Sequence, residues 1–394
     1  MKRRPSPIGS TAASTGSTRL YYLDWLRVLA MLSIFLYHSD RLFDFFGWHI
    51  KNDVTNLVSA LHIHFFNQWM MPLFFIVSGA AVFYSLRSRK AGGFIRERCM
   101  RILVPWIFIG IFVIAPPQVY LERVFNGEFA GSFFQWYPHY FKGSYGFGGN
   151  FAFHGMHLWY LMDLFIFSMI LLPFFLFRKN GESLISRLGT SFEKPWAVIL
   201  LFVPLAVAAI VADIIGLGFT RAMGSWDVLS YLLFFIYGYL IISNAHIQKI
   251  ITRYSTGTLV AAIVLACLDI FFEFCVDLPH IFSVWMGILI LRALLAWCWI
   301  ITILGYGNRF LNVNNRFLGY ASEAVLPFYI LHQTIIIIVG FYVVQWSLSS
   351  APKYLIVVVI SFVVIMAIYE ILVRRIIVLR FLFGMRLKKK PKTA

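Results

Sequence analysis

YLIVVVISFVVIMAIYEILVRRIIV, residues 354–378, decides the fold. Its first twenty residues carry one charge, Glu370, and the run closes on Arg374 and Arg375. About twenty apolar residues in helical form rise about 30 Å, the thickness of a bilayer's hydrocarbon core. Similar runs recur near 22–43, 69–86, 102–120, 157–177, 196–216, 228–243, 257–275, 282–304 and 323–346. No water is available inside a bilayer to satisfy bare peptide groups, so spanning elements are helices or a closed barrel. These runs are too long and too evenly apolar for the alternating strands of a barrel. The sequence therefore predicts an all-α, polytopic membrane protein with about ten transmembrane helices.

Composition agrees. With 60% hydrophobic and 13% charged residues and a mean hydropathy of +0.78, the chain has too little polar surface for a soluble domain of 394 residues. The formal charge of +17 would suggest nucleic acid in a soluble protein. Here the basic residues cluster between apolar runs and read as topology determinants, not as a nucleic-acid surface. Of the 34 Lys and Arg, 26 fall on one side of the ten-span arrangement, six on the other, and Arg27 and Arg292 inside spans. That asymmetry predicts both termini cytoplasmic in a multi-pass protein of the inner or plasma membrane. Three segments follow: a disordered cytoplasmic tail over 1–19, a transmembrane domain over 20–380 and a basic cytoplasmic tail over 381–394. No small-residue cleavage site follows the first run, which reads as a retained helix. Cys99, Cys267, Cys275 and Cys298 have no ligand-like or framework spacing and read as packing residues.

Ionisable residues inside spans are costly and point to function. The first span places Asp24, Arg27 and His38 on one helix. Eleven residues from Arg27 to His38 make about three turns, about 16 Å, so the two side chains share a face at different depths. A neutral imidazole near mid-membrane is a candidate general base for a hydroxyl, because its unperturbed pKa lies close to working pH. The alternative is a hydrogen-bonded packing histidine near the outer interface, with Arg27 snorkelling inward. In FIRERCMRILVPW (94–106), Arg98 and Arg101 lie one turn apart at the cytoplasmic mouth of the third span, where planar guanidinium forks suit phosphate oxygens. A positive-inside anchor would explain them equally well.

His62 with His64, and His154 with His157, are short-spaced pairs without a Cys or carboxylate of fitting spacing. They read as structural or substrate-contacting residues, with no metal site. Arg292, Glu370, Asp269 and the pair Glu323 and His332 lie in later spans; Arg292 and Glu370 either pair with each other or line a polar cavity. The outer segment 121–156 is rich in Gly and aromatics. Its rings suit an interfacial belt or a platform for sugars.

Taken in order, Arg27 and His38 with ten residues between them, Arg98 and Arg101, HLWYL (157–161), FFIYGYLI (234–241) and LPFYILHQT (326–334) resemble the acyltransferase-3 superfamily of membrane proteins over nearly the whole chain. The ending IYEILVRRIIVLRFLFG (368–384) resembles the glucan biosynthesis protein C branch, whose members succinylate periplasmic glucans. The resemblance implies ten helices, no permanently bound cofactor, and transfer of an acyl group, succinyl or acetyl, from cytoplasmic acyl-CoA to a hydroxyl of an extracytoplasmic carbohydrate. It implies His38 as the catalytic histidine, Arg27, Arg98 and Arg101 as donor contacts, and His157 and Trp159 as substrate contacts. Direct transfer is preferred over an acyl-histidine intermediate. The main rival is a transporter or flippase for a sugar-containing substrate, against which stands the lack of paired halves with Gly- or Pro-broken helices. A sensor or scaffold is a third reading, in which His38 would be dispensable.

Overall fold

The computed structural model describes residues 20–386 apart from 180, 181, 193 and 280. The tail expected over 1–19 and residues 387–394 of the basic tail lie outside the described residues. Among the described residues, seven helices are long and apolar enough to cross a membrane: α2 Leu57–Ser88, α3 Ala91–Phe125, α5 Pro195–Ile214, α7 Ala245–Phe274, α8 Phe282–Phe310, α9 Arg316–Val343 and α10 Ser350–Val373. The remaining three expected runs fall on α1 Tyr21–Asp40 and on two shorter apolar helices, α4 Met156–Ile170 and α6 Val228–Ser243. The chain is a polytopic, integral membrane protein. Several helices outrun their apolar stretch: α7 begins twelve residues before the run at 257, because Asn244 caps it by accepting from the His246 and Ile247 amides.

α1 runs through the bundle, with Leu26, Ala30, Met31, Ile34 and Phe35 buried against its neighbours. The second half of α2 packs on α6 at backbone distance. A Cβ at Gly79 would lie 1.9 Å from the Phe235 carbonyl oxygen, and one at Gly238 1.9 Å from that of Ile76. Such glycine contacts replace the hydrophobic drive that lipid does not supply between helices. In α3 the ladder slips to π geometry over Cys99–Leu103 and Pro105–Ile114, directly after Arg98; π segments gather at functional sites.

The outer segment 121–156 folds on its own small core of Trp136, Tyr140, Ala152 and Met156 against Ala115 and Val119 of α3. Most of its aromatics are thus structural, while Phe134 and Phe147 stand 84% and 86% exposed.

Candidate active site

The expected donor residues converge. A cavity of about 780 Å³ opens at the basic end of the bundle and is lined by Arg27, Arg89, Arg98, Arg101 and Arg386 against three carboxylates, Asp24, Glu97 and Glu323. Arg27 contacts Asp24 at 3.5 Å. Arg101 reaches Glu97 at 3.4 Å and donates its Nε to the Gly384 carbonyl at 3.1 Å, so the segment after α10 forms part of the wall. Arg98 lies over the Phe94 ring at 4.8 Å, and its buried Nε has no hydrogen-bond partner among the described residues. A surplus of guanidinium groups over carboxylates, with the Arg98 Nε unpartnered, suits a polyanion.

The cavity's lining extends inward to Tyr160 and Tyr329. The Tyr160 hydroxyl hydrogen-bonds Ser78 at 2.5 Å, and that of Tyr329 donates to the His157 carbonyl. Immediately beyond stand three imidazoles, with ring centroids 5.1 Å apart for His38 and His332, 4.8 Å for His157 and His332, and 6.4 Å for His38 and His157. One carbonyl orders two of them. Tyr329 O accepts from His332 Nδ1 at 2.6 Å and from His157 Nε2 at 3.1 Å, and a carbonyl can only accept. His332 Nε2 and His157 Nδ1 therefore carry lone pairs. The latter accepts from Gln118 Nε2 at 3.4 Å, whereas His332 Nε2 and His38 Nδ1 are buried without a partner.

Towards the opposite end, Trp48 lies nearly parallel to His38, at 20° and 6.0 Å. Gln333 Nε2 donates to Gln118 Oε1 at 2.9 Å and approaches His49 Nε2 at 3.4 Å, which leaves Gln333 Oε1 as a second buried acceptor without a donor. His49 Nδ1 donates to Glu122, which also accepts the Tyr145 hydroxyl at 2.7 Å. In the outer segment, burial and then the Glu122 charge push the Tyr145 phenol up. Burial also lowers His154 to about 4.

Other sequence candidates go elsewhere. Arg292 and Glu370 do not pair with each other: Arg292 bonds Asp269 at 3.0 Å and Glu273 at 2.7 Å, while Glu370 bonds Arg374 at 2.9 Å. The reason is topological, since Arg292 lies towards the outer end of α8 and Glu370 towards the basic end of α10. Glu323 pairs with Arg380 at 3.0 Å, nine residues from the histidine it was grouped with. His62 bonds Asp40, and His64 bonds Asp269 at 2.7 Å. Trp159 is buried against Tyr231, ring centroids 5.3 Å apart, and is absent from the cavity wall.

The acyltransferase domain of the acyltransferase-3 family matches residues 20–370 of this chain. The chain belongs to the acyltransferase-3 family. Its relatives include glucans biosynthesis protein C of Escherichia coli K12, 22% identical over 376 residues covering 93% of this chain and 94% of that protein. The Shigella dysenteriae serotype 1 protein of the same name is 22% identical over the same coverage, and that of Escherichia coli O157:H7 is 21% identical over 377 residues. No solved structure matches the chain.

As a membrane acyltransferase, the protein needs a base, a donor site and an acceptor route. Sequence reasoning found His38 and His157 but did not join His332 to them, although LPFYILHQT contains it. Spacing within one helix cannot show that α9 brings His332 beside α1. Gln118, His49 and Glu122 lie in none of the motifs quoted from the sequence, and Gln333 is only a motif neighbour of His332; the partners that join these four lie 23 to 284 residues away.

Proposed function

We propose that this acyltransferase moves a succinyl or acetyl group from acyl-CoA, held at the cytoplasmic end, to a hydroxyl of an extracytoplasmic carbohydrate, with glucan as the acceptor class. The observation that carries the reading is one continuous arrangement: Arg27, Arg98 and Arg101 around a basic cavity whose inner wall, Tyr160 and Tyr329, abuts His157, His332 and His38. Charge fixes the phosphates at the arginines, because a nucleotide is too polar to cross the bilayer. The narrow pantetheine arm then carries the thioester past the two tyrosines over the roughly 16 Å from Arg27 to His38.

In the proposed step His38 removes the acceptor's hydroxyl proton as the oxygen attacks the thioester carbon. The new C–O bond forms, the C–S bond breaks, and the proton passes from His38 to the departing CoA thiolate. The His332 ring, 5.1 Å from His38 between centroids and with its Nε2 unpartnered, is then positioned to stabilise the imidazolium that forms on His38. In this reading the acyl group passes directly from the thioester to the hydroxyl, without an acyl-histidine intermediate. The buried acceptor atom Gln333 Oε1 is matched by the O–H donors that a polyol brings.

The test is acyl transfer from radiolabelled succinyl-CoA and acetyl-CoA to glucose oligosaccharides by protein in nanodiscs. Labelled oligosaccharide that requires His38 supports the proposal. Oligosaccharide flux into vesicles without acyl-CoA, and no transfer, would replace it by the transporter reading.

A further inference from the structure

A second cavity, of about 320 Å³, lies at the end of the bundle opposite the arginine cavity. It is built where the C-terminal end of α1, α2 around Asn67 and Gln68, α5 at Ala209, the loop before α6 and the facing ends of α7 and α8 meet. Tyr37, the residue before His38, forms part of its wall. We propose that this cavity binds a neutral sugar ring of the acceptor, one unit away from the ring that is acylated. The proposal rests on the acyl-transfer reading for its ligand class.

Charge excludes an anion first. Three guanidinium groups line the cavity and each is engaged by a carboxylate: Arg41 by Asp44 at 3.0 Å, Arg221 by Asp213, and Arg292 by Asp269 and Glu273. Asp269 also takes His64. Counting Lys51, which shares Asp44, and Asp227, 3.6 Å from Arg221, four cations face five carboxylates, so the fixed groups offer N–H donors and lone pairs to hydroxyls with no surplus positive charge for a phosphate or carboxylate.

The aromatic and amide groups then favour a sugar. Trp285 is 40% exposed, its indole donates to Asp213 at 2.6 Å and the Arg221 guanidinium lies over its ring at 6.0 Å, which leaves the opposite ring face for the apolar side of a pyranose. Gln68 supplies the decisive atom. It is 5% exposed, and its Oε1 accepts from Trp299 Nε1 at 3.0 Å. Indole can only donate, so this bond fixes the amide's orientation. Gln68 Nε2 is consequently a buried donor without a partner, on a side chain that lines the cavity. A sugar hydroxyl or ring oxygen is an acceptor of the right kind. The cavity's volume is at the small end for ligand sites and suits one ring.

The experiment measures binding of glucose oligosaccharides by calorimetry to the full chain in nanodiscs, with CoA binding measured in parallel. Gln68→Glu keeps an oxygen for Trp299 but removes the donor, and Trp285→Ala removes the half-exposed ring face. Oligosaccharide affinity should fall at least tenfold in each variant, with CoA affinity unchanged. Unchanged oligosaccharide affinity in both variants would overturn the proposal, as would inorganic phosphate competing with the sugar. No oligosaccharide binding by wild-type protein that binds CoA would also overturn it and leave the orphaned amide to water. Oligosaccharide binding that depends on Gln68 and Trp285 without any CoA binding would support this cavity while removing the acyl-CoA reading.

Discussion

The two cavities sit at opposite ends of α1 and solve opposite recognition problems. At the basic end five guanidinium groups face three carboxylates, and Arg98 is left to stack on Phe94. At the other end every lining guanidinium is tied to a carboxylate, and the unpartnered group is a neutral amide. Unneutralised charge attracts a polyanion over distance and is screened by salt, whereas neutralised pairs recognise hydroxyls only at contact. The difference teaches how one helix can serve two substrates, with His38 placed between them.

The largest expected effect strikes the midpoint. His38→Ala should lower transfer by about 10²–10⁴-fold, the usual contribution of a general base, while leaving both CoA and oligosaccharide binding in place. If binding is lost from folded protein, His38 is a ligand contact and the division into two ends fails. Next, Arg98→Ala combined with Arg101→Ala should weaken CoA binding by about 10²-fold, from about 1.5 kcal/mol for each charge-assisted hydrogen bond, without altering oligosaccharide binding. A loss at both ends would break the contrast. His332→Asn should cost about tenfold in kcat, the size of one hydrogen bond of about 1.4 kcal/mol, with both KM values retained. A rise in acceptor KM instead would move His332 from proton handling to acceptor binding.

Smaller effects sharpen the contrast. Raising salt from about 0.1 M to about 1 M shortens the Debye length from about 10 Å to about 3 Å, and should weaken CoA binding severalfold while leaving oligosaccharide binding nearly constant. Equal salt dependence at both ends would contradict a neutral outer site. Outside the spans, His154 is held at about 4, below the 6.5 of an exposed imidazole. A depressed histidine stabilises fully above about pH 6.5 and loses that contribution as pH falls towards about 4, because the unfolded chain takes up the proton first. His154→Gln should therefore make the fall in Tm between those values shallower; an unchanged slope would place the acid sensitivity elsewhere.

Much of this was legible in the chain. The apolar runs located the helices because lipid requires each span to be long, apolar and internally hydrogen-bonded. Arg27 and His38 were legible because they share one helix, whose period fixes their relative direction. Partners on different helices were not. The alternatives left open for Arg292 and Glu370 show why: a buried charge announces that it needs a partner, but periodicity cannot say which helix brings Asp269 or Arg374 to it. The aromatic-rich outer segment likewise announced rings without saying that Trp136 and Tyr140 would turn inward and Phe134 outward.

By itself the sequence determined that the protein is a helical membrane protein, with its basic residues biased to one side and with titratable groups on α1 and α3. Only the tertiary structure decided that α1, α4 and α9 bring three imidazoles together, that Tyr329 O orders two of them, and that Arg41, Arg221 and Arg292 each meet a carboxylate while the Arg98 Nε is left without a hydrogen-bond partner. Hydropathy and helical period act within one segment and are written in consecutive residues. The contacts between segments depend on how the helices pack, and close passages such as Gly79 against Phe235 set that packing from residues more than a hundred positions apart.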